Sequence, residues 1–141
     1  MKAVTQSAQS TTVSKAALWT GRVLSALVIL LLLFDCCTKI ARVQAAVQGF
    51  VQLGYSQRVV VPIGIILLIC TVLYAVPRTS ALGAVLLTGY LGGAVATNVR
   101  AGLPLAAYIL APVYVGVAAW LGLYLRNIQI RRMLPLLADN S

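Results

Sequence analysis

The sequence contains no histidine and no glutamate, and its only acidic residues are Asp35 and Asp139. Without histidine there is no His-based triad and no HExxH zinc site. Without a close pair of carboxylates, acid–base catalysis of the two-carboxylate kind has no material. Charge is scarce overall: 9% of residues are charged, against about 25% in soluble domains. Cysteine is scarce too. Cys36, Cys37 and Cys70 all lie in or beside apolar runs, where cysteine behaves as a small hydrophobe, so they make no disulfide framework.

Apolar residues are abundant. They make up 61% of the 141-residue chain, more than a soluble surface can tolerate. The net charge of +9 is spread between and beside apolar runs. That distribution suits membrane topology and anionic lipid, and it argues against nucleic acid as a partner.

Four runs approach the ~20 residues that cross a bilayer: 17–40, 59–76, 79–99 and 103–125. Backbone groups cannot stay unpaired in lipid, so each run is expected to be a helix. The fold class expected is all-α membrane: a four-transmembrane-helix bundle. Tight turns at Pro77-Arg78 and Arg100-Ala101-Gly102 make antiparallel neighbours. The longer link at 41–58 places Val43, Val47, Phe50 and Val51 on one stripe. It predicts a short interfacial helix between the first two spans, capped by Gly54 in the left-handed conformation. Residues 1–14 read as a disordered tail, 15–128 as the membrane domain and 129–141 as a basic tail.

Basic residues set the orientation. Lys2, Lys15, Arg22, Arg78, Arg126, Arg131 and Arg132 share the side of the termini, against Lys39, Arg42, Arg58 and Arg100 opposite. This predicts a multi-pass protein with both termini cytoplasmic.

Packing signals lie in the last two spans. Gly89, Gly92 and Gly93 offer small residues for close helix contact, within the bundle or as a homodimer seam. Pro112 removes a backbone donor and predicts a kink over residues 108–112. Trp19, Trp120 and Tyr124 are placed for an aromatic belt.

Asp35 is the sharpest feature. A charge in hydrocarbon is costly, so it should face inward and hold a partner. Lys39 lies four residues on, on the same face. Asn98 and Arg100 end the third span at the same depth. Asp35, Lys39, Asn98 and Arg100 are therefore expected to form a polar cluster. Three readings are open: an ion-pair lock between the first and third spans, a site for a headgroup, a quinone or a proton, or charges that merely fall at the interface. Cys36-Cys37 is a weak redox candidate, because neighbouring helical positions point about 100° apart. No metal site and no catalytic residue is predicted.

FDCCTKI, at residues 34–40, resembles the FDxxxKL segment of the DoxX-like membrane proteins. LGY before the second span, PRTSALGA at the tight turn and GYLGGAVATNVR at the end of the third extend the resemblance over about residues 19–126. The resemblance implies a small four-helix bundle in the bacterial cytoplasmic membrane. Some DoxX relatives are linked to oxidoreductase assemblies, including a thiosulfate:quinone oxidoreductase. Asp35, Lys39 and Arg100 match the pattern; where it commonly carries histidine, this sequence has Asn98, which cannot titrate. Three functional classes follow, in this order: a non-catalytic partner or accessory subunit, a quinone-linked oxidoreductase subunit, and a small-molecule or lipid carrier. No bound cofactor is predicted, and quinone is the ligand that the resemblance admits.

Overall fold

The computed structural model describes residues 14–133. All but the last residue of the expected N-terminal tail, and residues 134–141, lie outside that range. The elements run α1 (Lys15–Ile40), α2 (Gln44–Gln52), a 3-10 turn (Gln57–Val59), α3 (Val60–Ala75), α4 (Ser80–Arg100), a π-helical turn (Leu105–Ile109), α5 (Leu110–Arg126) and α6 (Ile128–Met133). Among the described residues, four segments are long and apolar enough to cross a membrane: Lys15–Ile40, Gln57–Ala75, Ser80–Arg100 and Leu105–Arg126. The protein is an all-α membrane bundle. Large apolar side chains such as Phe34, 73% exposed, point outward toward lipid.

Each span packs on two others: α1 on α3 and α5, and α4 on α3 and α5. The helices therefore stand in a square with α1 and α4 at opposite corners. Close approaches occur at glycines, as expected where helices meet in lipid. A Cβ at Gly21 would come within 2.7 Å of Leu125 Cβ, one at Gly64 within 2.9 Å of Lys39 Cβ, and one at Gly122 within 2.6 Å of Ser25 Oγ. Gly83 is tighter still against the Tyr74 backbone.

Of the two packing roles expected for Gly89, Gly92 and Gly93, close contact within the bundle is not formed by these glycines. A Cβ at any of the three would meet nothing within 4 Å. They border cavities rather than helix seams: Gly89 and Gly93 the space between α1 and α4, Gly92 a groove beside α5.

The termini end holds a buried polar knot. The Tyr74 hydroxyl donates to the Ala119 carbonyl at 2.7 Å. That uses its single proton, so Ser25 Oγ, 3.2 Å away, donates to it. Arg126 donates to the Tyr74 carbonyl at 2.8 Å and stacks over the Tyr74 ring.

The described part of the segment expected as a basic tail, 129–133, lies in α6, whose Ile130 is buried. Arg131 donates to the Tyr124 and Leu125 carbonyls at 2.9 and 3.1 Å. Those carbonyls end α5 and have no helical donors of their own.

Candidate ligand cavity

α1 has 26 residues, roughly 39 Å at about 1.5 Å per residue, against a ~30 Å hydrocarbon core. Its last turns therefore reach toward the interface, and Asp35 and Lys39 lie there. They form an ion pair within α1, Lys39 Nζ to Asp35 Oδ2. Lys39 is buried, while the Asp35 side chain is nearly half exposed. The lock expected between the first and third spans is not formed by this pair. Both its members belong to one helix, and α4 stands diagonally opposite.

Between α1 and α4 lies an open cavity of about 530 Å3. Asp35, Lys39 and Asn98 line its outer end, with Tyr90 and Thr97 beside them; Leu31, Ile63, Ile66 and Val115 make much of the rest apolar. A smaller cavity of about 220 Å3 lies under α2, with Gln52, Ala46 and Gly49 in its wall. Asp35, Lys39, Phe50, Leu53 and Asn98 line both cavities. The ion pair thus stands between a chamber at membrane depth and a vestibule beneath the interfacial helix.

α2 is fastened over this place. Phe50 lies under Lys39, 5.9 Å from ammonium to ring centroid, and Tyr55 donates to Thr97 Oγ1 at 3.1 Å. Thr97 spends its own proton on the Gly93 carbonyl at 2.9 Å. Gly54 has φ +81°, the left-handed cap its position predicts. Val43 and Val51 of the expected stripe are exposed. Val47 and Phe50 of that stripe are half-buried, and Phe50 lines the vestibule with Ala46, Gly49 and Leu53, a face rotated by part of a turn.

Asn98 has a definite task. Its Nδ2 donates to the Tyr108 carbonyl at 2.6 Å. In an unbroken helix that carbonyl would accept from residue 112, which is proline. The expected disturbance at 108–112 takes the form of the π-helical turn Leu105–Ile109, and Asn98 supplies the missing donor.

Arg100 ends α4 exposed and lines neither cavity. Two residues beyond Asn98, it projects about 200° around the helix. Geometry thus brings Asp35, Lys39 and Asn98 to one cavity and leaves Arg100 outside it.

Cys36 is buried, with its thiol donating to the Leu33 carbonyl at 3.2 Å, whereas Cys37 is exposed. Cys36, Cys37 and Cys70 are free thiols. The aromatic members Phe50, Tyr55 and Tyr90 were not singled out as site residues from sequence. The signal that would have found them is an aromatic ring at the depth of Asp35 on each of several segments.

A family model described as the DoxX-like family matches residues 23–122. The chain belongs to the DoxX-like family. No curated protein and no solved structure matches it. In this DoxX-like protein the matched region holds α1 from Val23 onward and all the residues of the Asp35 cavity. Family membership brings no activity with it. What the site can do follows from its chemistry: an ammonium donor, a carboxylate acceptor and nearby hydroxyls at one end of an apolar chamber.

Proposed function

We propose that this protein is a non-catalytic membrane subunit that holds a lipid-soluble, polar-headed ligand in the α1–α4 cavity and serves a membrane or peripheral oxidoreductase partner. One observation carries the reading: Asp35, Lys39 and Asn98 line one end of a cavity of about 530 Å3 that is otherwise largely apolar. Ligand cavities generally measure about 300–1,000 Å3 and combine apolar walls with a few convergent polar groups. The absence of histidine and glutamate supports a binding rather than a catalytic role.

The polar end favours a carbonyl or hydroxyl head. Lys39 can donate to a quinone carbonyl and Asp35 can accept from a quinol hydroxyl. The quinone-linked reading is therefore the second choice, and it needs the same cavity. The location proposed is the bacterial cytoplasmic membrane with both termini inside, supported by the excess of basic residues at the termini end.

The test is mild detergent extraction of tagged wild type and Asp35→Asn, followed by mass spectrometry of co-purifying proteins. A near-stoichiometric oxidoreductase with wild type, lost with the variant, is the expected result. No specific protein with either form removes the partner from the proposal.

A further inference from the structure

The flank of α4 and α5 carries a groove of about 720 Å3, separate from the Asp35–Lys39 pair. Leu91, Gly92, Val117, Trp120 and Tyr124 line it, joined at the termini end by Ile130 of α6. The polar groups of Trp120 and Thr88 are already engaged. The Trp120 indole donates to Thr88 Oγ1 at 2.8 Å, and Thr88 donates to the Ala84 carbonyl at 2.8 Å. From Pro112 to Tyr124 the groove follows α5 for roughly 18 Å at about 1.5 Å per residue. Half of a ~30 Å hydrocarbon core is about 15 Å, so the groove has the length of one leaflet's acyl chain.

Its mouth is cationic. The Arg131 guanidinium lies 5.5 Å from the ring centroid of groove-lining Tyr124. Two of its donors hold the end of α5, which leaves the others for a ligand. Arg132, next in the chain, is exposed. Among the described residues Asp35 is the only carboxylate side chain, and it lies at the opposite end of the bundle.

We propose that this groove binds an acyl chain of an anionic phospholipid, with its phosphate at Arg131 and Arg132, in the leaflet at the termini end. Apolar lining would accept any acyl chain. The arginines select the charged headgroup, because basic groups at the surface favour anionic lipid. This inference does not rest on the Asp35 cavity.

The chain has two tryptophans, so full-length Trp19→Phe leaves Trp120, inside the groove, as the only tryptophan, which is excited selectively at the red edge where tyrosine does not absorb. The protein is placed in vesicles containing either brominated-acyl phosphatidylglycerol or brominated-acyl phosphatidylcholine. Half-quenching of Trp120 is expected at a roughly fivefold lower mole fraction of the anionic lipid. Arg132→Gln, which touches no helix cap, should reduce that preference with the melting temperature unchanged. Arg131→Gln with Arg132→Gln should bring it near unity. Gly92→Leu should weaken quenching by both lipids while the fold is retained, since a Cβ there meets nothing within 4 Å. Equal quenching by the two lipids would mean ordinary boundary lipid and would overturn the proposal. So would a preference untouched by either arginine variant. Absence of quenching, with cross-linking through residue 92 between copies, would assign the groove to a second copy of the chain instead.

Discussion

The Asn98 amide donates to the Tyr108 carbonyl at 2.6 Å, the carbonyl that Pro112 leaves without its helical donor. One side chain of α4 thus completes the backbone of the neighbouring span, beside the cavity that Asn98 also lines.

This relationship predicts a coupling. Asn98→Ala should cost about 0.5–1.5 kcal/mol, the net worth of one hydrogen bond at a partly exposed site. In a Pro112→Ala background residue 112 regains its N–H, and the same Asn98 substitution should cost much less. Thermal denaturation of the single and double variants in detergent measures this. Additive losses would mean that Asn98 does not stand in for the proline's donor.

Asp35→Ala should destabilise the protein by about 1–3 kcal/mol. It strands the buried Lys39 ammonium, and the partial exposure of Asp35 moderates the full penalty of a broken buried pair. Lys39→Met added to Asp35→Ala should restore most of the loss. Lys15→Ala, at an exposed position, should change little. Melting temperatures of the four proteins decide the matter, and equal losses for Asp35→Ala and Lys15→Ala would contradict a paired, inward-facing Asp35.

Two glycines of α4 should behave oppositely. Gly83→Ala drives a methyl into the Tyr74 backbone and should abolish folding or sharply lower yield. Gly89→Ala meets open space and should be neutral or stabilising by up to about 1 kcal/mol, from the poor helix propensity of glycine. Fluorescence-detected size exclusion with a thermal ramp separates the two. Loss of fold at Gly89 would restore the tight seam that the sequence suggests.

The thiols should divide by exposure. Cys37 should react first with a membrane-permeant maleimide, while Cys36 and Cys70, both buried, should react only after denaturation. Reductant should not alter the pattern. Protection of Cys37 that reduction removes would show a disulfide and revive the redox reading.

Much of the architecture was legible because lipid leaves a chain few choices. A charge-free run such as 59–76 must be a helix, and Pro77-Arg78 permits only a tight turn before the next. The depth of Asp35, Lys39 and Asn98 followed from counting residues along the spans. Azimuth was harder to read. Arg100 shares that depth yet projects to another side, and of the Val43, Val47, Phe50 and Val51 stripe of α2 only Phe50 lines the vestibule. Four helices in a square can be rotated without changing any span's hydropathy. The choice lies with contacts such as Gly21 against Leu125 and Gly64 against Lys39, which do not show in the sequence. The Tyr74–Ser25–Arg126 knot was missed for the same reason: its members come from three spans and share no motif.

The account stands most directly on occupancy of the Asp35 cavity. The measurement is mass spectrometry of small molecules retained by wild type, Asp35→Asn and Gly93→Leu after gentle extraction and gel filtration. Gly93 lines the cavity and a Cβ there meets nothing within 4 Å, so leucine there is expected to extend into the cavity and compete with a ligand. The account predicts a near-stoichiometric lipid-soluble compound with a carbonyl or hydroxyl head in wild type, depleted in both folded variants. The same compounds in equal amounts in all three proteins, or none in wild type, would contradict it.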